Sequence, residues 1–314
     1  MTGGVLEAVP NFSEGRDRAA IEAILDAIRA AGAEVLDWSA DPDHHRSVVT
    51  FIGEPAVVER AAVAAARVAY ERIDLRRHRG VHPRIGALDV LPFVPLAGLG
   101  MEAARESAWR VGRAIAEDLG VPVYFYGQAS DPPGRGLAEL RRGGFETLAA
   151  GWPADRPPDL LPPGWAHPGA HPTAGATCVG ARPILLAWNV FVDGITRADA
   201  ARIATRVRQT GGGFPGLRAL ALELPSRGAV QISMNLEDPS VVSPLDVFET
   251  LETQVGDLGG RIVETEVIGM IPDELLLTAA ASRLKLSSAS LDRILTRRVL
   301  EHLAASTRDE VEER

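Results

Sequence analysis

Residues 46–59 read RSVVTFIGEPAVVE, and residues 229–242 read AVQISMNLEDPSVV. Each stretch opens on an apolar run of the kind that fills strands, passes an acidic residue and reaches a proline. Proline is tolerated in the first turn of a helix, so both stretches predict a strand that hands over to a helix. The echo between the two letter strings is faint. The elements around them settle the fold.

Working outward from the first stretch, Val5–Val9 is predicted as a strand, followed by the turn-rich PNFSEGR. Ile21, Ile24, Leu25 and Ile28 recur at helical spacing, and Gly32 stands where a left-handed residue would close that helix. Strands at Val35–Trp38 and Val48–Ile52 flank the polar ADPDHHR, and a helix runs from Pro55 to about Ile73. Ala87–Val94, a helix near Ala103–Leu119 and a strand at Val121–Tyr126 follow. Beyond the Pro/Gly-rich 151–176, strand Ile184–Val192 leads to a helix around Ala198–Gln209, then strands Leu217–Leu224 and Val230–Leu236. A helix near Pro244–Leu258 and a strand near Arg261–Val267 complete the second set, and two helices with the charged tail TRDEVEER end the chain. Both halves thus run β-α-β-β-α-β, the ferredoxin-like order. The predicted fold class is α/β (α+β), with ferredoxin-like subdomains over residues 1–180 and 181–314. The stretch 151–176 is irregular because each proline removes a donor and fixes φ; it is either a linker or a functional loop.

The chain has 314 residues, 46% of them hydrophobic and 24% charged, enough apolar content for a sizeable core. A net charge of −9 argues against broad binding to nucleic acid or an anionic membrane, while leaving room for a local basic pocket. The one cysteine, Cys178, permits no internal disulfide, and its small apolar neighbours in GATCVGA predict a buried structural residue. The start MTGGVLEAVPNF lacks a basic n-region and a long apolar h-region, and no apolar run reaches membrane-span length, so the expected location is the cytoplasm.

The chemistry concentrates in RRHRGVHPRIGALDVLPF, residues 76–93. It crowds Arg76, Arg77, His78, Arg79, His82 and Arg84 into a turn before an apolar strand, which is costly unless the cations face water or an anion. Either this is a solvated basic loop, or it is an anion site with a histidine poised for proton transfer. Pro83 restricts His82 to extended geometry. Asp89, on the next strand, either orients a histidine or pairs with an arginine. A second cluster, SADPDHHRS at 39–47, holds Asp41, Asp43, His44, His45 and Arg46. Its spacing fits no standard zinc motif, and it reads as a polar hairpin or the rim of an active site. PNFSEG offers Asn11, Ser13 and Glu14, with Ser13 or Glu14 a possible helix cap. GGGFPG at 211–216 lacks the lysine of a phosphate loop and reads as a turn.

These segments together resemble the glutamate formimidoyltransferase family, the N-terminal half of formimidoyltransferase-cyclodeaminases. The matching stretches are VPNFSEG (9–15), RSVVTFIG (46–53), ARVAYERIDLRRHRGVHPRIGALDVLPFVP (66–95), VPVYFYG (121–127), PTAGATCVGAR (172–182), QISMNL (231–236) and VIGMIP (267–272). The resemblance implies two related subdomains with facing sheets and outer helices, a homodimer, and folate held between the subdomains. It implies His82 as the catalytic residue. It places folate against Ala166, His167, Pro168, Gly169, Ala170, His171, Pro172, Thr173, Ala174 and Gly175, a loop whose proline and glycine content suggests that it orders on binding.

The implied reaction moves a formimidoyl group from N-formimidoyl-L-glutamate to N5 of tetrahydrofolate, in histidine degradation. Arg46 and Arg84 are candidates for the glutamate carboxylates because a guanidinium fork matches a carboxylate; Asn11 and Asp41 are further candidate binding residues. Tetrahydrofolate is the co-substrate, with neither metal nor redox cofactor required, and ring closure falls to a separate cyclodeaminase. The alternatives are formyl transfer between 5-formyltetrahydrofolate and glutamate, or a non-catalytic folate-binding protein. A basic-loop RNA binder is disfavoured by the net charge and the lack of an aromatic stacking set.

Overall fold

The structure, a computed structural model, describes residues 4–81, 83–224, 228–239, 241–286 and 294–299. The N-terminal unit is built from β1 (Leu6–Ala8), β2 (Asn11–Phe12), α1 (Arg18–Ala30), β3 (Glu34–Asp41), β4 (Arg46–Gly53), α2 (Pro55–Arg72) and β5 (Leu88–Pro95). It continues with α3 (Met101–Leu119), β6 (Val123–Gly127), the short α4 (Leu137–Leu140) and α5 (Gly144–Ala150), and β7 (Thr177–Ala181). The predicted first strand is β1; β2 falls in the stretch read as a turn and is a separate short piece because Pro10, between the two, offers no backbone N–H. Both pair with β4 on one side and β5 on the other, antiparallel throughout. With β3 beside β4, the first four strand positions run β3, β4, β1/β2, β5, the ferredoxin-like order. Parallel β7 and β6 extend the sheet beyond β5.

The C-terminal unit repeats the plan: β8 (Leu186–Asp193), α6 (Arg197–Val207), β9 (Leu217–Leu224), β10 (Ala229–Leu236), α7 (Pro244–Asp257), β11 (Arg261–Ile268) and α8 (Asp273–Leu284). Its sheet order is β11-β8-β10-β9. Pro55 opens α2 as expected, but α7 starts at Pro244 and not at Pro239, so the second hand-over carries a longer connection. The charged tail lies outside the described residues, as does much of the second C-terminal helix.

Each sheet buries one face under helices. In α1, Ile21, Ile24, Leu25 and Ile28 point into a core with Leu6, Phe12, Phe51 and Phe93, each side chain contributing about 1.5–3 kcal/mol by its removal from water. Asp17, and neither Ser13 nor Glu14, caps this helix, accepting from Ala19 N and Ala20 N; Gly32 closes it at φ +91°. The C-terminal core sets Trp188, Val190 and Ile232 against Ile203, Val247 and Leu251. Gly269, just after β11, sits against Thr50 on the helix-free side of β4, where an added Cβ would stand 3.2 Å from Thr50 Oγ1. The end of β11 therefore meets the N-terminal sheet on its helix-free side.

The Pro/Gly-rich stretch is no linker between the halves. It folds back over the helix-free face of the N-terminal sheet, where Leu140, Leu148, Ala170 and Ala176 bury Val90, Tyr124, Tyr126 and Cys178, with Trp152 packed against them. Cys178 is fully buried as expected, and burial pushes its thiol pKa up. The strand that holds it, β7, is not legible as alternation because its residues are uniformly small or apolar and all five are buried.

Candidate active site

Three segments that the sequence singles out meet at one end of the N-terminal sheet. The DPDHH segment is a hairpin turn closing the Asp41–Arg46 pair of β3 and β4. Asp41 Oδ1 accepts from Asp43 N and His44 N, both at 2.8 Å, and His45 takes a left-handed φ of +51°. His44 Nδ1 lies 3.2 Å from Asp41 Oδ2. Burial opposes the Asp41 charge, but the bonds from His44 and the turn amides prevail and hold its carboxyl down at about 2. PNFSEG docks on this turn from below. A Cβ on Gly15 would stand 2.3 Å from Asp41 O, and the Arg16 guanidinium donates to Pro42 O at 2.8 and 2.9 Å.

The basic segment closes over the same turn. Val81 N donates to Asp43 O at 3.1 Å, and Gly80 packs where a Cβ would stand 2.3 Å from His44 O. His78 Nε2 sits 2.7 Å from His45 O, and the His45 and His78 rings stack with centroids 4.3 Å apart and an interplanar angle of 10°. The other edge of His45 meets Glu14 Oε1 at 3.1 Å. The arginines divide. Arg76 and Arg77 pair with Asp74 at the surface, Arg79 donates to main-chain carbonyls, and Arg84 is taken up by Glu146. That pair is a two-point fork, Nη1 to Oε2 at 3.1 Å and Nη2 to Oε1 at 2.7 Å. Arg84 was a candidate for a substrate carboxylate; α5 supplies one from within the chain.

His82 lies outside the described residues. Its chain neighbourhood is tied on both sides, by Val81 N to Asp43 O and by Phe145 N to Arg84 O at 2.9 Å.

His78 is buried, and desolvation together with the nearby His45 and Arg84 lowers its pKa from 6.5 to about 4 despite the bond to His45 O. The unfolded chain therefore binds more protons than the folded one between those values, so stability falls as pH drops from about 6.5 to 4. The thermal midpoint should decline through that window, and His78→Gln, which keeps an amide donor, should flatten the decline. An unchanged slope in the variant would remove His78 from this role.

Asp89 owes its position to a β-bulge. Asn11 opposes Val90 while Phe12 opposes Leu88, so Asp89 is the extra residue and its side chain leaves the strict alternation. Its Oδ1 accepts from Ile85 N at 2.7 Å and Gly86 N at 3.2 Å, and its Oδ2 pairs with the Arg141 guanidinium. The arginine alternative for Asp89 is thus the one realised. Two strands over, on β4, Arg46 Nη1 donates to Oδ1 of Asn11 on the intervening β2 at 3.3 Å. Burial and the neighbouring Arg141 lower the Arg46 pKa to about 10, with Asp89 and Asp41 acting against them. Burial also opposes the charge on Arg141, but Asp89 outweighs it and the net shift is upward.

The loop 166–175 divides in two. Ala166, His167 and Pro168 are exposed, with His167 against Trp165 at a ring separation of 4.9 Å. From Gly169 onward the loop is already fixed. Gly169 packs on Leu148 O, and Ala170 N donates to that same carbonyl at 2.8 Å. His171 and Gly175 exchange two main-chain bonds at 2.9 Å, and His171 Nδ1 accepts from Ala174 N at 3.0 Å. Pro172 is exposed, but Thr173 O and Ala174 O accept from Leu75 N and Ala87 N. These bonds hold Gly169–Gly175 against Leu75 and the segment Ile85–Ala87.

Arg141 and Glu146 were missed from sequence. They stand in LRRGGFE, where nothing separates them from surface charges; only their partners, tens of residues upstream, mark them.

Residues 5–182 match the model of the formiminotransferase domain, N-terminal subdomain, and residues 187–302 match the formiminotransferase domain. The chain belongs to the formiminotransferase family. It is 36% identical over 304 residues to a glutamate formimidoyltransferase of Thermoplasma acidophilum, covering 94% of this chain and 97% of that one. A glutamate formimidoyltransferase of Streptococcus pyogenes is also 36% identical, over 88% of this chain and 92% of its own. The formimidoyltransferase-cyclodeaminase of Sus scrofa is 40% identical over 290 residues, 88% of this chain but 52% of that protein, so the chain spans about half the length of such two-activity relatives. Among the described residues no helix is long and apolar enough to cross a membrane.

Proposed function

We propose that this formiminotransferase-family chain transfers the formimidoyl group of N-formimidoyl-L-glutamate to N5 of tetrahydrofolate. The observation that carries this reading is the convergence of PNFSEG, DPDHHR and RRHRGVHPRIGALD on one end of the sheet, in a chain collinear with single-activity glutamate formimidoyltransferases. In this account N5 attacks the formimidoyl carbon and a tetrahedral adduct forms. A new N5–C bond is made, the bond from that carbon to the glutamate nitrogen breaks, and glutamate departs as the amine. One proton leaves N5 and one reaches the leaving nitrogen. A histidine titrating near neutrality serves both steps in turn, and His82 is the residue assigned to them. Arg46 and Asn11 are assigned to the polar parts of the substrates, as is Asp41 through the turn that it organises. The exposed Ala166–Pro168 and the fixed Gly169–Gly175 are assigned to the folate side. Division at residues 180 and 181, a homodimer, a cytoplasmic location, a place in histidine degradation and a separate cyclodeaminase complete the proposal.

Formyl transfer from 5-formyltetrahydrofolate uses the same geometry. Steady-state rates with formimidoylglutamate plus tetrahydrofolate, set beside 5-formyltetrahydrofolate plus glutamate, separate the two. The formimidoyl pair should be much the faster. Equal or higher rates with the formyl pair would reverse the assignment, and folate binding without turnover of either pair would make the chain a binding protein.

A further inference from the structure

Arg84 lies two residues beyond His82 in the chain, and α5 holds it through three hydrogen bonds. Phe145 N donates to its carbonyl at 2.9 Å, and its guanidinium donates twice to the Glu146 carboxylate, at 3.1 and 2.7 Å. Resting on the functional reading above, we propose that Glu146 is a positioning residue of the transfer, holding Arg84 and through it the stretch of chain that carries His82.

The grip comes from a fixed element. Phe145 is buried in the N-terminal core and anchors the first turn of α5, while Leu148 O in its last turn accepts from Ala170 N. Gly143 and Gly144 take left-handed φ values of +82° and +66° and bring the chain close to Arg84. A Cβ on Gly144 would stand 3.0 Å from Glu146 Oε2 and 3.6 Å from Arg84 O. On the other side, the chain before Arg84 has few ties. Pro83 is exposed and has no N–H to donate, and the next main-chain bond back is Val81 N to Asp43 O at 3.1 Å. Further on, Ile85 N and Gly86 N are held by Asp89, so Arg84 is the last held residue before Pro83 and His82. With the Glu146 side chain 65% exposed and that of Arg84 13%, the ion pair adds little to stability. What it supplies is direction, because two parallel bonds orient a guanidinium where one bond does not. A displacement of about 1 Å at a reacting group can cost on the order of 10²-fold in rate. The contact therefore bears on turnover more than on folding.

Glu146→Gln should lower kcat by about tenfold or more, with the KM for each substrate within a few-fold and the thermal midpoint nearly unmoved. Arg84→Gln should lower kcat to a similar level, and the double variant should be no slower than the worse single one, because both act through one contact. Unchanged kcat in Glu146→Gln, or losses that multiply in the double variant, would overturn the proposal. So would a KM for formimidoylglutamate that rises about tenfold in Arg84→Gln but not in Glu146→Gln, since Arg84 would then be a substrate ligand. Deuterium uptake gives a readout that needs no turnover. The peptide covering residues 79–86 should exchange faster in Glu146→Gln than in wild type or in Glu139→Gln, whose exposed carboxylate stands on the neighbouring α4. Equal uptake in all three overturns the proposal. Should Arg84→Gln fail to fold, the kcat and the uptake of Glu146→Gln decide. If the wild-type chain proves inactive on formimidoylglutamate, the functional reading fails, and the uptake comparison still shows whether Glu146 holds this stretch of chain.

Discussion

Replacing His82 with alanine should lower kcat on the order of 10²-fold or more, the range that acid–base help from a positioned side chain contributes. The KM for tetrahydrofolate should change far less, because the proton transfers belong to the chemical step and not to folate capture. The thermal midpoint should also move little. The neighbouring anchors, Val81 N to Asp43 O and Phe145 N to Arg84 O, are main-chain bonds that the substitution leaves in place. The wild-type rate should fall as pH drops below the imidazole's ionisation near neutrality, since the neutral form accepts the N5 proton. A His82→Ala enzyme with near-normal kcat would move the proton-carrying role elsewhere. His45 and His78 would be poor substitutes, each already committed to the loop contacts that join the two polar segments.

Asp89→Ala should have the largest effect on stability. It removes the acceptor for two turn amides and strands the buried Arg141, a change of the kind that costs about 3–5 kcal/mol. For a chain of 314 residues that corresponds to a fall in thermal midpoint of roughly 5–8 °C. Asp89→Asn keeps an oxygen for Ile85 N and Gly86 N while losing the charge facing Arg141, so its midpoint should lie between the two. A midpoint for Asp89→Ala equal to that of wild type would show that the bulge and its turn are held by other contacts.

How far the sequence led differs between fold and site. The order of elements was legible because each half alternates short apolar runs with helical spacing, and the strand orders around β1/β2 and β8 follow from that pattern. The three polar segments were legible as unusual, but their convergence was not. It depends on hairpin and loop contacts such as Val81 N to Asp43 O, which leave no trace in local composition. The face taken by Asp89 was hidden because a bulge breaks the period of two on which strand reading rests. Arg141 was hidden because its partner lies 52 positions away, and an arginine beside another before two glycines reads as a surface turn. The Pro/Gly-rich stretch was recognised as irregular, yet its role as a cover for Tyr124, Tyr126 and Cys178 follows only from the parallel strands β6 and β7 beneath it.

The central claim is the transfer itself, and its most direct test is product stoichiometry. Purified protein mixed with N-formimidoyl-L-glutamate and tetrahydrofolate should release L-glutamate and form 5-formimidoyltetrahydrofolate one for one, both resolved by chromatography, with neither product formed when either substrate is omitted. Glutamate released without a matching folate product, or no reaction while 5-formyltetrahydrofolate and glutamate are turned over, would contradict the account.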